Sequence, residues 1–236
     1  MKARGDLRGL VVAAAAALML AGCGSLVPGG SASQIARAPA RSSIPVASAP
    51  QSYAQRPEDA SCLADLGASG ARFQAVPDTY AAPGCNTLGT VQLTALAGDR
   101  TPLGIANIGP VQCSVAKAFG DWARFGVDRA ARQILRSPVV RIETMGSYSC
   151  RNVAGSQQRS AHARAGAIDV SAFVLADGRR IVVKSDWQSG DAATREFLRV
   201  AHKSACKRFG TVLGPQYNAA HQDHFHLEGT GATFCR

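Results

Sequence analysis

The chain has 236 residues, 46% of them hydrophobic, which is enough for a folded core, and a formal net charge of +10 at pH 7. The apolar run from Gly9 to Leu20 is about a dozen residues long, which excludes it as a spanning helix because such a helix needs about 20. The chain length suits one folded domain and is too short for two beside a leader and a linker.

The first 22 residues are typical of a lipoprotein signal peptide. Lys2, Arg4 and Arg8 precede the apolar run, which ends in LAGC at residues 20–23, the pattern of a bacterial lipobox. The pattern implies that Cys23 is lipidated and anchors a periplasmic protein to the membrane. Gly24 follows instead of the aspartate associated with inner-membrane retention, which favours the outer membrane. The alternative is an ordinary signal peptide with an incidental cysteine.

The positive charge persists after removal of residues 1–22, which carry three basic residues and one acidic residue. Such an excess attracts anionic polymers or lipids. Export argues against nucleic acid, so peptidoglycan, whose stem peptides bear carboxylates, is the expected partner. The alternative is that the charge serves solubility alone.

Residues 23–58 are rich in Ser, Ala, Pro and Gly and contain one aromatic residue, Tyr53. This stretch cannot bury enough apolar surface to offset its ordering entropy, so we predict a flexible tether behind the lipid. Residues 59–236 then form the folded domain.

Six cysteines remain beyond Cys23. An even number in an exported protein predicts three disulfides, and the lack of a CxxC pair argues against a zinc site made of cysteines. Order along the chain and the predicted elements favour the pairs Cys62–Cys85, Cys113–Cys150 and Cys206–Cys235.

The first half of the domain reads as strand, helix and strand. Residues 90–97 interleave polar and apolar side chains, which predicts a strand. Ser114 is a candidate N-cap for a helix that continues to Leu135 and ends before Pro138. Residues 139–145 are β-branched, and a strand there would return along the helix and carry Cys150 toward Cys113.

The second half contains a predicted hairpin, a helix and two short strands. A strand over residues 167–175 leads through Asp177–Gly178 into residues 181–183. Asp191 caps a helix over residues 192–208. Short strands follow at residues 211–213 and 224–227. The predicted fold class is α+β, a small antiparallel sheet with helices packed on one side.

Four of the five histidines fall into two groups. His162 precedes Asp169 by seven residues, and His221, His224 and His226 lie together near the end of the chain. Histidine and carboxylate are the ligands that zinc takes when cysteine is absent, and three of them leave a position open for water. Residues i and i+2 of a strand face the same side, so we predict that His224 and His226 project together.

Three stretches together resemble the bacterial extensin-like C-terminal family. They are GSYSCR (146–151), SAHARAGAIDVSAF (160–173) and VLGPQYNAAHQDHFH (212–226). The resemblance covers most of residues 60–236. That family is similar to zinc peptidases that cut D-amino-acid bonds in peptidoglycan, namely D-Ala-D-Ala carboxypeptidases, D-Ala-D-Ala dipeptidases and penicillin-insensitive murein endopeptidases.

The resemblance implies a role for each matching residue. It implies that His162, Asp169 and His226 bind Zn²⁺, and that His224 handles protons. It implies that Arg151 stabilises the oxyanion or holds a substrate carboxylate. Two more residues, His221 at the rim and Ser160 in a turn, are assigned to substrate binding.

The sequence departs from the relatives in two places. Ala165 stands where many relatives have glycine, although the extensin-like branch tolerates alanine. No Glu-x-x-His motif supplies a base, and Asp223, beside His224, would face the opposite way in a strand.

The expected function is a zinc-dependent hydrolase that uses a metal-activated water to cleave peptide bonds, D,D bonds foremost, in stem peptides or cross-links. The alternative is an inactive envelope lipoprotein that keeps the fold and metal and binds peptidoglycan.

Overall fold

The structure is a computed structural model that describes residues 57–229 and 233–236. The predicted leader, the lipidated Cys23 and the tether up to residue 56 lie outside the described residues. None of the described helices is long and apolar enough to cross a membrane.

The described residues contain one large sheet and a separate hairpin. The strands are β1 (Arg72–Ala75), β2 (Tyr80–Ala82), β3 (Cys85–Asn86), β4 (Thr90–Ala97), β5 (Pro102–Ala106), β6 (Val111–Gln112), β7 (Val139–Gly146), β8 (Ala167–Leu175), β9 (Arg180–Val182), β10 (Thr211–Leu213), β11 (Phe225–Glu228) and β12 (Phe234–Cys235). The sheet has the order β1-β4-β5-β7-β8-β11-β10-β12, with β6 beside β4 and β9 beside β8, while β2 and β3 pair with each other.

Helical segments connect the strands. They are α1 (Pro57–Ala68), α2 (Cys113–Trp122), α3 (Val183–Ser189), α4 (Ala192–Ala205), two π-helical segments at Ala123–Asp128 and Ala131–Leu135, and 3₁₀ turns at Ala161–Arg164 and Ala219–His221. The fold is α+β, which confirms the predicted class.

The sheet is larger than predicted and is not wholly antiparallel. Ten described strands belong to it, and two pairs, β5 with β7 and β10 with β12, run parallel. A parallel pair needs a long crossover. The helical run from Cys113 to Leu135 is that crossover between β5 and β7, so the predicted return strand pairs parallel to a strand that precedes the helix.

Aromatic side chains fill the core. Phe173 on β8 lies with its ring centroid 6.0 Å from Trp122, 5.3 Å from Phe197 on α4 and 6.5 Å from Phe225 on β11. The Trp122 indole also donates a hydrogen bond to the carbonyl oxygen of Ala201 at 2.9 Å. These contacts fasten α2 and α4 to the strands that carry the histidines.

Some predicted boundaries hold and others differ. The strands at residues 90–97, 167–175 and 211–213, the hairpin turn and the Asp191 cap are confirmed. The helix capped by Asp191 ends at Ala205 and not at residue 208, and the second hairpin strand is Arg180–Val182, so that Val183 begins α3 instead of ending the strand. Helix α2 begins at Cys113 after Gln112, without a side-chain cap, instead of after Ser114. The last strand begins at Phe225, so His224 lies in the preceding bend.

The disulfide pairing corrects the prediction. Cys62 bonds to Cys113 and Cys85 bonds to Cys150, while Cys206–Cys235 is as predicted. Because α1 packs on α2, Cys62 meets the helix start and not the hairpin. The segment after β7 lies on that hairpin, where Arg159 Nε donates to the Pro83 carbonyl oxygen at 3.0 Å, so Cys85 is the neighbour of Cys150.

Candidate metal centre

Two adjacent strands bring Asp169 and His226 together. Strands β8 and β11 are antiparallel, and their register places His226 directly opposite Asp169. Directly opposed residues have Cβ atoms about 5 Å apart, so their side chains meet on the same face. Both residues are buried: 9% of the surface of Asp169 and 8% of the surface of His226 is exposed.

His162 reaches the same point from the 3₁₀ turn that leads into β8. Ser160 caps that turn, and its hydroxyl accepts a hydrogen bond from the backbone N–H of His162 at 3.3 Å. Ala165 then takes a left-handed φ of 53°, a conformation that costs a residue with a Cβ about 1–2 kcal/mol. Glycine would adopt this conformation without that cost, because it has no Cβ.

Three potential ligands converge within hydrogen-bonding distance, and the Asp169 carboxylate takes part through both of its oxygens. His162 Nε2 lies 3.1 Å from Asp169 Oδ2 and 3.2 Å from His226 Nδ1, and His226 Nδ1 lies 2.9 Å from Asp169 Oδ1. Zinc bonds of about 2.0–2.2 Å in a tetrahedron separate neighbouring ligands by roughly 3.3 Å. The spacing of the three side chains therefore fits a zinc ion.

The outer nitrogen of His162 supports the same interpretation. Its Nδ1 lies 3.2 Å from the carbonyl oxygen of Ser147, which only accepts hydrogen bonds, so Nδ1 carries the proton and donates. The inner Nε2 then offers a lone pair. A histidine tied in this way through its outer N–H is typical of a metal ligand.

The charges within the cluster are strongly coupled. Burial alone lowers the pKa of His226, but its hydrogen bond to Asp169 and the neighbouring carboxylate of Glu228 outweigh burial and raise the pKa to about 9. Burial alone raises the pKa of Asp169, but hydrogen bonds from His162 and His226 outweigh it and hold the pKa well below its usual range. The carboxylate thus stabilises positive charge at this point, which a metal cation would also supply.

His224 lies beside the three candidate ligands, although it precedes β11 and does not share a strand with His226 as predicted. Its Nε2 is 3.5 Å from Asp169 Oδ1, and its ring is buried. The predicted orientation of Asp223 is wrong, because Asp223 Oδ1 lies 2.8 Å from His224 Nδ1. Residues 222–224 form a turn and bend, so strand alternation does not apply to Asp223.

His221 lies at the rim. Its ring centroid is 5.2 Å from that of His224 and 5.8 Å from that of His226, and its Nδ1 is 2.7 Å from Asn218 Oδ1. Burial, followed by the charges of His224 and His226, lowers the pKa of His221 to about 4. His221 is therefore a neutral imidazole at pH 7.

Two other predicted site residues lie further from the cluster. The side chain of Arg151 is exposed and, among the described contacts, forms no hydrogen bond with the histidines or Asp169. Its positive charge is near enough to contribute to the lowered pKa of His221. Ser160 is buried and serves as the cap of the His162 turn, and its assigned contact with substrate stays a prediction.

Glu228 also lies at the site, although no motif pointed to it. Its Oε2 lies 3.6 Å from His226 Nε2, and the residue is half-buried at the end of β11. The available signal was the i, i+2 spacing of His226 and Glu228 within β11, which places both side chains on one face of the strand. Glu228 holds the nitrogen of His226 that faces away from Asp169.

Comparison with protein families supports the resemblance given by the motifs. The family model described as the extensin-like protein C-terminus matches residues 60–236, about three quarters of the chain. This chain belongs to the extensin-like C-terminal family. No curated protein and no solved structure matches it. The extensin-like match contains the whole candidate metal centre, from Ser160 to Glu228.

Proposed function

We propose that this protein is a zinc-dependent hydrolase that cleaves peptide bonds, D,D bonds foremost, in the stem peptides or cross-links of peptidoglycan. The observation that carries the proposal is the buried triad of His162, Asp169 and His226, in which one nitrogen of each histidine lies 2.9–3.2 Å from the other histidine and from one of the two Asp169 oxygens. A carboxylate and two imidazoles with a histidine beside them form a donor set that suits hydrolysis assisted by a metal.

The triad would hold Zn²⁺, and Ser147 and Glu228 would orient its two histidines from outside. Bound zinc supplies a Lewis acid that activates water and polarises a carbonyl group at neutral pH. Nearby, His224 presents Nε2 toward Asp169 and delivers a proton to the leaving amine, since imidazole exchanges protons near neutral pH.

Rim residues would bind the substrate. The cation of Arg151 lies on the exposed side of the site and suits a stem-peptide carboxylate or the oxyanion. Neutral His221 offers a further polar contact.

The cellular setting belongs to the same proposal. A periplasmic lipoprotein would account for the lipobox ending at Cys23, for the tether and for the positive net charge. Its lipid would anchor it to the envelope, with the outer membrane favoured over the inner membrane. The tether would let the domain reach the anionic wall polymer.

Incubation of the zinc-loaded protein with purified peptidoglycan, followed by mass spectrometry of the released peptides, tests the activity. We expect products that disappear when a chelator removes the metal. The masses of the products identify the bond that is cut. Binding without products would contradict hydrolysis and favour a protein that only binds the wall.

A pair of histidine variants tests the ligand assignment. His226→Ala should lose zinc, measured by metal analysis after gel filtration, and should lose activity at the same time. His202→Gln is the control, because His202 bonds the carbonyl oxygen of Arg236 outside the cluster and glutamine can still donate there. Full activity in His226→Ala would rule out the triad.

A further inference from the structure

The structure assigns Asp223 a role that the proposed function lacks. Asp223 Oδ1 lies 2.8 Å from His224 Nδ1, a normal length for a hydrogen bond to a carboxylate. The carboxylate accepts, so His224 Nδ1 carries the proton and Nε2 is the nitrogen that faces Asp169 at 3.5 Å. We propose that Asp223 is a positioning residue that fixes the tautomer and ring orientation of His224.

The path of the chain makes this contact possible. Strand β11 begins at Phe225, which is fully buried, so the chain direction is set immediately after His224. Before that point the backbone turns, and the side chains of the consecutive residues Asp223 and His224 come into contact. Only 9% of the His224 side chain is exposed, whereas 35% of the Asp223 side chain is exposed. The His224 ring is thus buried, and the partly exposed Asp223 carboxylate binds its Nδ1 from the solvent side.

The consequence for the reaction concerns one proton. With the proton on Nδ1, the free lone pair of Nε2 accepts a proton from the attacking water as the O–H bond breaks. The new N–H bond then breaks when the proton passes to the leaving amine, so His224 returns to its starting state. Asp223 stabilises the intervening imidazolium and stays a carboxylate throughout.

This inference rests on the proposed function for the proton transfer, but the tautomer is a property of the protein that can be measured without turnover. Long-range ¹H–¹⁵N correlation spectra of the zinc-loaded protein report which ring nitrogen of His224 carries hydrogen, with His224→Gln used to assign the signals. We expect Nδ1–H in the wild type and in Asp223→Asn, whose amide oxygen still accepts. Asp223→Ala should give Nε2–H or a mixture.

Kinetics provide the second measurement. Asp223→Ala should lower kcat by roughly 10²-fold, the lower end of general acid–base contributions, with little change in KM. Asp223→Asn should also lose rate despite its normal tautomer, because the amide cannot stabilise the imidazolium, and Asp223→Glu should restore part of it. Zinc affinity should stay within about twofold of wild type in each variant, because Asp223 contacts no ligand of the triad.

Glu196→Ala is the matched control. It removes one exposed carboxylate from α4 and should change neither the tautomer nor the rate. An unchanged Nδ1–H tautomer in Asp223→Ala would overturn the proposal, as would equal losses of zinc and rate, which indicate a purely structural role. Should the wild type cleave nothing, the proposed function fails, while the spectra still decide the role of Asp223. Should Asp223→Ala not fold, the isosteric Asp223→Asn still tests the proposal, because a normal rate there would overturn it.

Discussion

At the scale of single residues, Asp128 holds three parts of the chain together. It is fully buried, and its Oδ1 accepts from the backbone N–H of Val139 at 3.0 Å. Its Oδ2 accepts from the N–H of Asp99 at 2.9 Å and from Arg132 Nε at 3.0 Å. One carboxylate thereby accepts hydrogen bonds from a backbone N–H at the start of β7, a backbone N–H in the turn before β5 and the guanidinium of a neighbouring arginine.

Asp128→Ala should lower the free energy of unfolding by about 3 kcal/mol, because it leaves buried donors and a guanidinium without an acceptor. Urea denaturation followed by circular dichroism measures the change. Asp121→Ala is the control on the same helical run. It removes a carboxylate 3.9 Å from Lys117 at the surface, a pair worth at most about 1 kcal/mol. Similar losses in the two variants would contradict the role of Asp128.

Residue type and spacing were sufficient to predict His162, Asp169, His224 and His226 as one cluster. The reason is that ligand chemistry depends on a few residue types, and a seven-residue gap or a His-x-His spacing is visible in the chain. The predicted orientation of the Asp223 side chain was wrong, because strand alternation was extended to residues that precede the start of β11. Arg151 is near the site, but a charge on the surface has no periodicity that predicts its contacts.

At the scale of elements, two glycines of one helical run differ in the space around their Cα atoms. A Cβ on Gly120 in α2 would meet its nearest atom, in Leu96, at 3.7 Å, an ordinary contact. A Cβ on Gly126, in the π-helical segment, would overlap the side chain of Ser204 on α4. The close approach of α4 to this segment depends on the missing side chain.

We expect Gly120→Ala to raise the free energy of unfolding by about 0.5–1 kcal/mol, since alanine is the better helix former. Gly126→Ala should lower it by about 1–3 kcal/mol, because α4 must move to admit the methyl group. Thermal unfolding of the two proteins under identical conditions gives the comparison. A higher free energy of unfolding in both variants would show that the packing of α4 does not require a glycine at position 126.

The helical run was predicted as one α-helix ending before Pro138, and it begins two residues earlier than the predicted Ser114 cap implied. Its change to π-helical geometry at Ala123 was not predicted. Apolar spacing indicates which face of a helix is buried. The backbone hydrogen-bond pattern, α or π, also depends on what packs against that face. Here the packing partner is α4, which contacts the run through the hydrogen bond from Trp122 to Ala201, two residues that are 79 positions apart in the sequence.

At the scale of the whole molecule, the disulfides link distant parts of the domain. Cys85–Cys150 closes a separation of 65 residues and joins the β2–β3 hairpin to the segment between β7 and the His162 turn. That segment contains Ser147, whose carbonyl oxygen holds the outer nitrogen of His162. The bond therefore supports the candidate metal centre from outside.

Replacing Cys85 and Cys150 together by serine should lower the free energy of unfolding by about 4 kcal/mol, the loop-closure value for a loop of this length. Zinc affinity should fall as well, because the Ser147 contact loosens. Chemical denaturation and a zinc competition assay measure the two effects. Replacing Cys206 and Cys235 provides the comparison, and we expect a loss of stability there with zinc affinity preserved. Equal effects on zinc affinity would contradict the link to Ser147.

The sequence by itself determined the α+β class, the central strands and the residues that make up the histidine–aspartate cluster, because each depends on residue types and periodicities within a short stretch of chain. Only the tertiary structure decided the size and direction of the sheet, two of the three disulfide pairs, and the contacts of Asp223 and Glu228 with the histidines. Those features depend on which distant segments meet. A local pattern describes the face that an element buries, but it does not name the partner that covers it.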